Sequence, residues 1–165
     1  MSADRPILSK SPTESAVTMT EMVLPTHTNA LGSIFGGVVM SWIDIAAAIA
    51  AGRHARKAVV TASVDALHFI APIRLGHVVQ IRAIVNFSAR TSMEVGVRVD
   101  SENPLTGKMI HNVSAYTTFV AVDSHGKPTA IPKLVPKTTD EKRRFAAAEA
   151  RRKSRVELAA HLKKN

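Results

Sequence analysis

The chain has no cysteine among its 165 residues. That absence excludes a disulfide framework, a thiolate nucleophile and cysteine-ligated zinc together. Aromatic residues are almost as scarce, with one Trp, one Tyr and five Phe. They do not interleave with the basic residues, so the stacking surfaces that bind nucleic acid find no support. The seven histidines form no HxxxH or HxH pair, which leaves a histidine metal site without local support. There is also no G-x-S-x-G elbow, no P-loop, and no G-x-G-x-x-G after a strand. A serine hydrolase of the α/β type and the phosphate-binding Gly-rich folds are therefore set aside. The opening Met1–Pro6 lacks a basic segment followed by an apolar one, and the apolar run Val38–Ala51 is shorter than the roughly 20 residues that span a bilayer. The expectation is a cytoplasmic protein with no targeting segment.

What is abundant is positive charge, but its distribution matters more than its total. The formal net charge is +9, from 22 Lys or Arg and 13 Asp or Glu. Residues 133–165 hold eleven of the basic and four of the acidic residues, or +7, which leaves +2 for residues 1–132. The basic character is thus largely a tail, which suits a solvated helix or a tether for an acidic partner better than a nucleic-acid surface.

Residues 1–15, polar and rich in Ser and Pro, read as a loose arm. Val17–Val23 reads as a strand that Pro25 ends, and a loop from Thr26 to Phe35 leads to the Gly36–Gly37 pair. The pair opens a helix running to about His54, closed by Gly52 and the cations Arg53, Arg56 and Lys57. Four strand-like segments follow: 58–70, 76–88, 92–100 and 108–123. In the third, Met93, Val95, Val97 and Val99 alternate with Glu94, Gly96 and Arg98, the period of a sheet with one buried face. Short turns between four consecutive strands imply an antiparallel meander. The architecture expected is α+β, with one sheet curled around one long apolar helix. Such a unit covers only part of the helix and leaves sheet edges open, so a dimer at least is expected. Thr138 and Glu141 form a capping-box pattern ahead of a charged, Ala-rich segment over 138–165, which reads as a partly docked helix.

Asp44 stands alone in the most apolar segment of that architecture. A helix apolar on nearly every side is normally buried, and a buried unpaired carboxylate costs several kcal/mol or loses its charge. Asp44 is either a core carboxylate satisfied by hydrogen bonds or a group kept for chemistry. The Gly36–Gly37 pair is either a tight helix entry or a place where free amides bind a polarised carbonyl oxygen. Asn29 offers a donor and an acceptor that could orient a water, or it serves a turn.

Taken together these residues carry a pattern. The stretch from His27-Thr28-Asn29 through Gly32, Gly36-Gly37 and Trp42-Ile43-Asp44 resembles the signature of the hotdog-fold acyl-CoA thioesterases of the acyl-CoA hydrolase group. The likeness continues through Val60–Phe69, Pro72, Gly76, Arg90–Met93, Phe119–Asp123 and Gly126–Pro128, over about residues 16–135. The resemblance implies a hotdog domain over 16–135, flanked by the arm and by a basic helical tail over 136–165. It implies an active site between paired protomers and dimers assembled into a hexamer as a trimer of dimers. By the same resemblance Asp44 is the catalytic carboxylate, as general base or nucleophile. Asn29 is its partner from the facing protomer, and Gly37, next to Gly36, is the backbone donor to the thioester carbonyl. No cofactor is implied, since coenzyme A belongs to the substrate. Arg90, Thr91 and Ser92 resemble the group that meets its nucleotide end, the alternative being an ordinary polar hairpin. Asp65 and the histidines at 27, 68, 77 and 111 receive no role. For the tail the favoured reading is solubility, ahead of folding over the CoA nucleotide of a neighbouring subunit or contact with an anionic membrane. The rival to a hydrolase of fatty-acid metabolism is a non-catalytic module that binds CoA or a nucleotide. Hydratases of the same fold depend on a catalytic histidine motif that is missing here.

Overall fold

The computed structural model describes residues 8–65 and 67–162, so residues 1–7 of the arm, Ala66, and the last three residues of the tail lie outside the described part. In chain order the elements are β1 (Ser9–Lys10), β2 (Val17–Met22), α1 (Gly36–Ala55), β3 (Ala58–Val64), β4 (His68–Phe69), β5 (Val78–Ser88), β6 (Ser92–Glu102), β7 (Met109–Val122), β8 (Lys133–Leu134) and α2 (Thr139–Leu162). Five strands form an antiparallel sheet in the order β2-β5-β6-β7-β3, and the short β4 also pairs with β7. The sheet curls around α1, and α2 lies on its outer face.

The alternation read in β6 sets both layers. Met93, Val95, Val97 and Val99 are buried on the inner face beside Ile81, Ala83 and Val85 of β5 and Val113, Ala115, Phe119 and Ala121 of β7. Against them α1 presents Val39, Ile43, Ala46, Ala47, Ala50 and Ala51, none more than 1% exposed. Small alanines on the helix let it sit close to a sheet dense in β-branched residues, and this packing is the core. The whole of α1, Gly36–Ala55, is long and apolar enough by length and composition to cross a membrane, although its apolar run Val38–Ala51 is shorter than a span. In this fold its apolar face is instead spent on the sheet.

Several sequence expectations are revised. The meander holds only for β5, β6 and β7. The segment read as one strand over 58–70 breaks into β3 and β4, and β3 pairs with β7 at the far edge rather than with β5. Gly52 does not close α1 but lies inside it; the left-handed residue at its end is Arg56, at φ 51°. Residues 9–15, read as part of a loose arm, are built into the fold: β1 pairs in parallel with β8, and Lys10, Ser11 and Ser15 are buried. The capping box of α2 is present: Glu141 N donates to Thr138 Oγ1, while the Lys137 and Thr138 amides donate to the Glu141 carboxylate and hold its pKa below the ordinary value.

His54, near the end of α1, is fully buried, with Nε2 at 2.9 Å from the Pro132 carbonyl and Nδ1 unpaired. Burial pushes its pKa below the ordinary 6.5. The folded protein therefore resists a proton that the unfolded chain accepts, so stability present above pH 6.5 is lost as pH falls below it. Denaturant titrations of the wild type at about pH 7.5 and about pH 5.5 are expected to show a loss at the lower pH. In His54→Gln, which keeps a donor for Pro132, that pH-dependent loss is expected to be smaller.

Candidate active site

Residues 36–49 of α1 are apolar almost all round, and one sheet cannot cover all of such a cylinder. The uncovered side runs through Gly37, Ser41, Ile45 and Ile49, four residues apart, and is flanked by Met40. Met40, Ile45 and Ile49 are 40–48% exposed. Alongside lies β3, whose outward edge has no neighbouring strand among the described residues and whose Val60 and Val64 are likewise exposed. Asp44 sits on the border between this bare strip and the packed face.

Asp44 is neither fully buried nor unpaired, which removes the energetic anomaly inferred from the sequence. It is partly exposed, and Thr61 Oγ1 of β3 donates to Asp44 Oδ1 at 2.8 Å. A hydroxyl donor fixes the rotamer of an ionised carboxylate and leaves its other oxygen free to act. Sequence reasoning missed Thr61 as a site residue. Its signal was a polar side chain on an edge strand that leads straight out of the apolar helix, just before the register of β3 slips between Thr61 and Ser63.

The helix start is shaped by two aromatic rings. The Val38 amide already bonds the Phe35 carbonyl at 2.9 Å. The amides of Gly36 and Gly37 precede it, where a helix offers no internal acceptor. A Cβ on Gly37 would come within 2.7 Å of the Phe35 ring, and one on Gly36 within 3.4 Å of the Phe69 ring. Both glycines thus allow flat apolar groups to lie against the first turn. A hollow of about 340 Å³ opens beside it, lined by Ser33, Ile34, Gly36, Phe69 and Pro72 among others.

Asn29 precedes this turn in an exposed loop. Its Oδ1 accepts from the Leu31 amide at 2.9 Å and from the Ser33 amide and hydroxyl at 3.4 and 3.3 Å. The turn reading is therefore realised, and it orients the side chain so that the Nδ2 amide remains available for another acceptor.

Arg90, Thr91 and Ser92 occupy the tight turn between β5 and β6, where Ala89 N donates to Ser92 O. The structure does not bring them next to Asp44. Thr61 lies opposite Phe119, and Phe119 opposite Met93. The turn is thus two strand spacings, about 10 Å, from the Asp44–Thr61 pair. Arg90 is exposed, while Ser92 lines a larger groove of about 1030 Å³ on the outer face of the sheet under α2. Asp65, which received no role from the sequence, is ion-paired with Arg155 of α2. Among the described residues no group of three His, Asp or Glu gathers in a metal-binding arrangement.

The thioesterase superfamily matches residues 31–108. An uncharacterised acyl-CoA thioester hydrolase of Bacillus subtilis is 42% identical over 78% of this chain and 74% of its own length. The cytosolic acyl coenzyme A thioester hydrolase of Rattus norvegicus is 38% identical over 89% of this chain, which spans only 40% of that longer protein. Among solved structures, an apo-hexameric acyl-CoA thioesterase superposes with a TM-score of 0.90 at 44% identity, covering 93% of this chain and 99% of the other. The acyl-CoA hydrolase of Staphylococcus aureus, solved with butyryl coenzyme A and coenzyme A, gives a TM-score of 0.84 at 36% identity, covering 94% and 98%. That enzyme has also been solved as alanine variants of an asparagine, of an aspartate fifteen residues later and of a threonine seventeen beyond it. Asn29, Asp44 and Thr61 have the same two spacings.

Because the Thr61–Asp44 bond is exposed, it contributes little to folding. Thr61→Val is expected to change unfolding free energy by under about 1 kcal/mol in denaturant titration.

Proposed function

Since the chain belongs to the thioesterase superfamily and is an acyl-CoA thioester hydrolase, we propose that Asp44 is its catalytic carboxylate and that the site is completed by a second copy of the chain. The observation that carries this reading is the Asp44–Thr61 bond at the rim of the bare strip of α1. Hydrolysis needs a donor on the thioester oxygen and a base or nucleophile near the carbonyl carbon, each within about 3 Å of its target. The Gly37 amide supplies the first and Asp44 the second. Seven residues separate them, however, which is about 10 Å along one helix axis. One chain cannot place both on one carbonyl. Two copies packed antiparallel across the strip and the β3 edge bring Asp44 of one toward Gly37 and Asn29 of the other.

In that arrangement the thioester oxygen is held by the Gly37 amide at the positive end of α1, where its growing negative charge is stabilised. Asp44, held by Thr61, either takes a proton from the water that attacks the carbonyl carbon, or attacks that carbon itself to give a mixed anhydride that water then hydrolyses. In both, the C–S bond breaks, CoA leaves as the thiolate and the acyl group ends as the free acid. The Asn29 amide orients the water or the oxygen. Phe35, Phe69, Met40 and Ile45 keep the seam apolar, which strengthens the electrostatic contacts inside it. Arg90, Thr91 and Ser92 receive the nucleotide end of CoA from the turn, with Arg90 as the exposed cation. Dimers built this way assemble further into a hexamer, the state of the solved apo enzyme.

The decisive comparison is thiol release against a panel of acyl-CoAs. Asp44→Asn and Asn29→Ala are each expected to lower kcat by about 10²-fold or more while acyl-CoA still binds. Variants that release thiol as fast as the wild type would overturn the assignment of Asp44 and Asn29. A second measurement addresses the assembly. Ile45→Glu places a charge in the strip and is expected to shift the protein toward monomer in sedimentation, with activity lost in parallel.

A further inference from the structure

On the opposite face of the sheet lies a buried charge cluster that the site described above leaves unused. The side chain of Glu94 on β6 is fully buried. Two arginines of α2 reach it: Arg151 NH2 at 2.7 Å and Arg155 NH1 at 2.8 Å. Arg151 also stacks on the ring of Tyr116, 3.7 Å from its centre. Arg155 NH1 makes a second contact, 2.7 Å to Asp65 Oδ2, one residue past the end of β3. Asp65 is tied to the intervening strand as well, since its amide donates to the Tyr116 carbonyl at 2.9 Å.

The strand order gives this cluster its meaning. Glu94 and Tyr116 sit on the neighbouring strands β6 and β7, and Asp65 directly follows β3, the next strand in the sheet. One guanidinium therefore spans from the interior of the sheet to its edge. That edge strand carries Thr61, pairs only with β7 among the described residues, and loses register just after Thr61. The hydroxyl that orients Asp44 thus rides on an edge strand, and the far end of that strand is pinned from α2. We propose that Arg155 and Asp65 are positioning residues for hydrolysis, clamping the end of β3 so that Thr61 holds the Asp44 carboxylate in its reactive orientation. The basic tail then serves the reaction rather than solubility alone. This inference rests on the reading of Asp44 as the catalytic carboxylate.

The geometry offers variants that separate clamping from folding. Asp65→Ala leaves Arg155 on Glu94, and Arg155→Ala leaves Glu94 paired with Arg151, so neither strands a buried charge. In the full-length protein each is expected to lower kcat about tenfold, with KM within about twofold, because small misplacements of a reacting group are costly. Both are expected to speed hydrogen exchange of the β3 amides. Arg155→Lys, which keeps the charge but loses the fork, is expected to recover part of the rate. Arg151→Ala removes a cation from the same carboxylate without touching β3, and is expected to lower Tm while leaving kcat and β3 exchange near wild type. Undiminished kcat in Asp65→Ala overturns the proposal. So does an equal loss in Arg151→Ala, or a loss of rate without faster exchange in β3. Asp44→Asn, assayed beside them, keeps the two readings apart. If it is inactive while Asp65→Ala is fully active, only the clamp fails; if it is itself active, the catalytic assignment fails.

Discussion

One curled sheet can cover only part of one apolar helix, and the rest of the structure follows from that mismatch. The alanine-rich face of α1 satisfies the inner face of the sheet, while Met40, Ile45 and Ile49 remain beside the open edge of β3. Bare helix and open edge are adjacent because β3 emerges directly from the end of α1 and crosses to the far side of the sheet. Asp44 falls on the seam they form. There a carboxylate can keep a hydroxyl partner from β3 and still face whatever covers the strip.

The same strip explains why the larger of the two hollows described lies elsewhere. The groove of about 1030 Å³ is under α2 on the outer face, whereas the helix start carries only a hollow of about 340 Å³. The proposed site between two copies is open in one copy alone, and its walls are then exposed apolar side chains. Phe35 and Phe69 fit that description, each ring lying against a glycine of the first helical turn. Glycine at both positions lets these rings approach the turn without displacing it, a steric requirement separate from the helix entry that the sequence suggested.

The outer face obeys a different logic. Alternation put Glu94 there with Gly96 and Arg98, as a solvated face would have it, yet the Glu94 side chain is fully enclosed. A carboxylate in that position is tolerable only because two guanidinium groups of α2 satisfy it, and its cost would be several kcal/mol without them. The helix is therefore fastened by charge at Arg151 and Arg155 and by apolar contact at Phe145, whose ring meets Phe87 with centroids 5.0 Å apart. Beyond Arg155 the apolar residues Val156, Leu158 and Leu162 line the groove and remain exposed.

Sequence alone determined the long apolar helix opened by Gly36–Gly37, the inner face of β6 and the capping box at Thr138 and Glu141, and its resemblance to a family named Asn29, Gly37 and Asp44 as candidates. These are local signals, written in periodicity, glycine placement and a fixed motif. It could not say which side of α1 would be bare, because a helix apolar all round carries no polar stripe to mark its exposed face. Nor could it place β3 at the edge, since strand order depends on contacts distant in the chain. Thr61 and Asp65 stayed invisible for that reason: their partners, Asp44 seventeen residues earlier and Arg155 ninety residues later, are chosen by the packing of helices on the sheet. The identity of the catalytic candidates was legible in the chain, while the means of holding them belongs to the tertiary structure, because a side chain's orientation is set by whatever the fold brings against it.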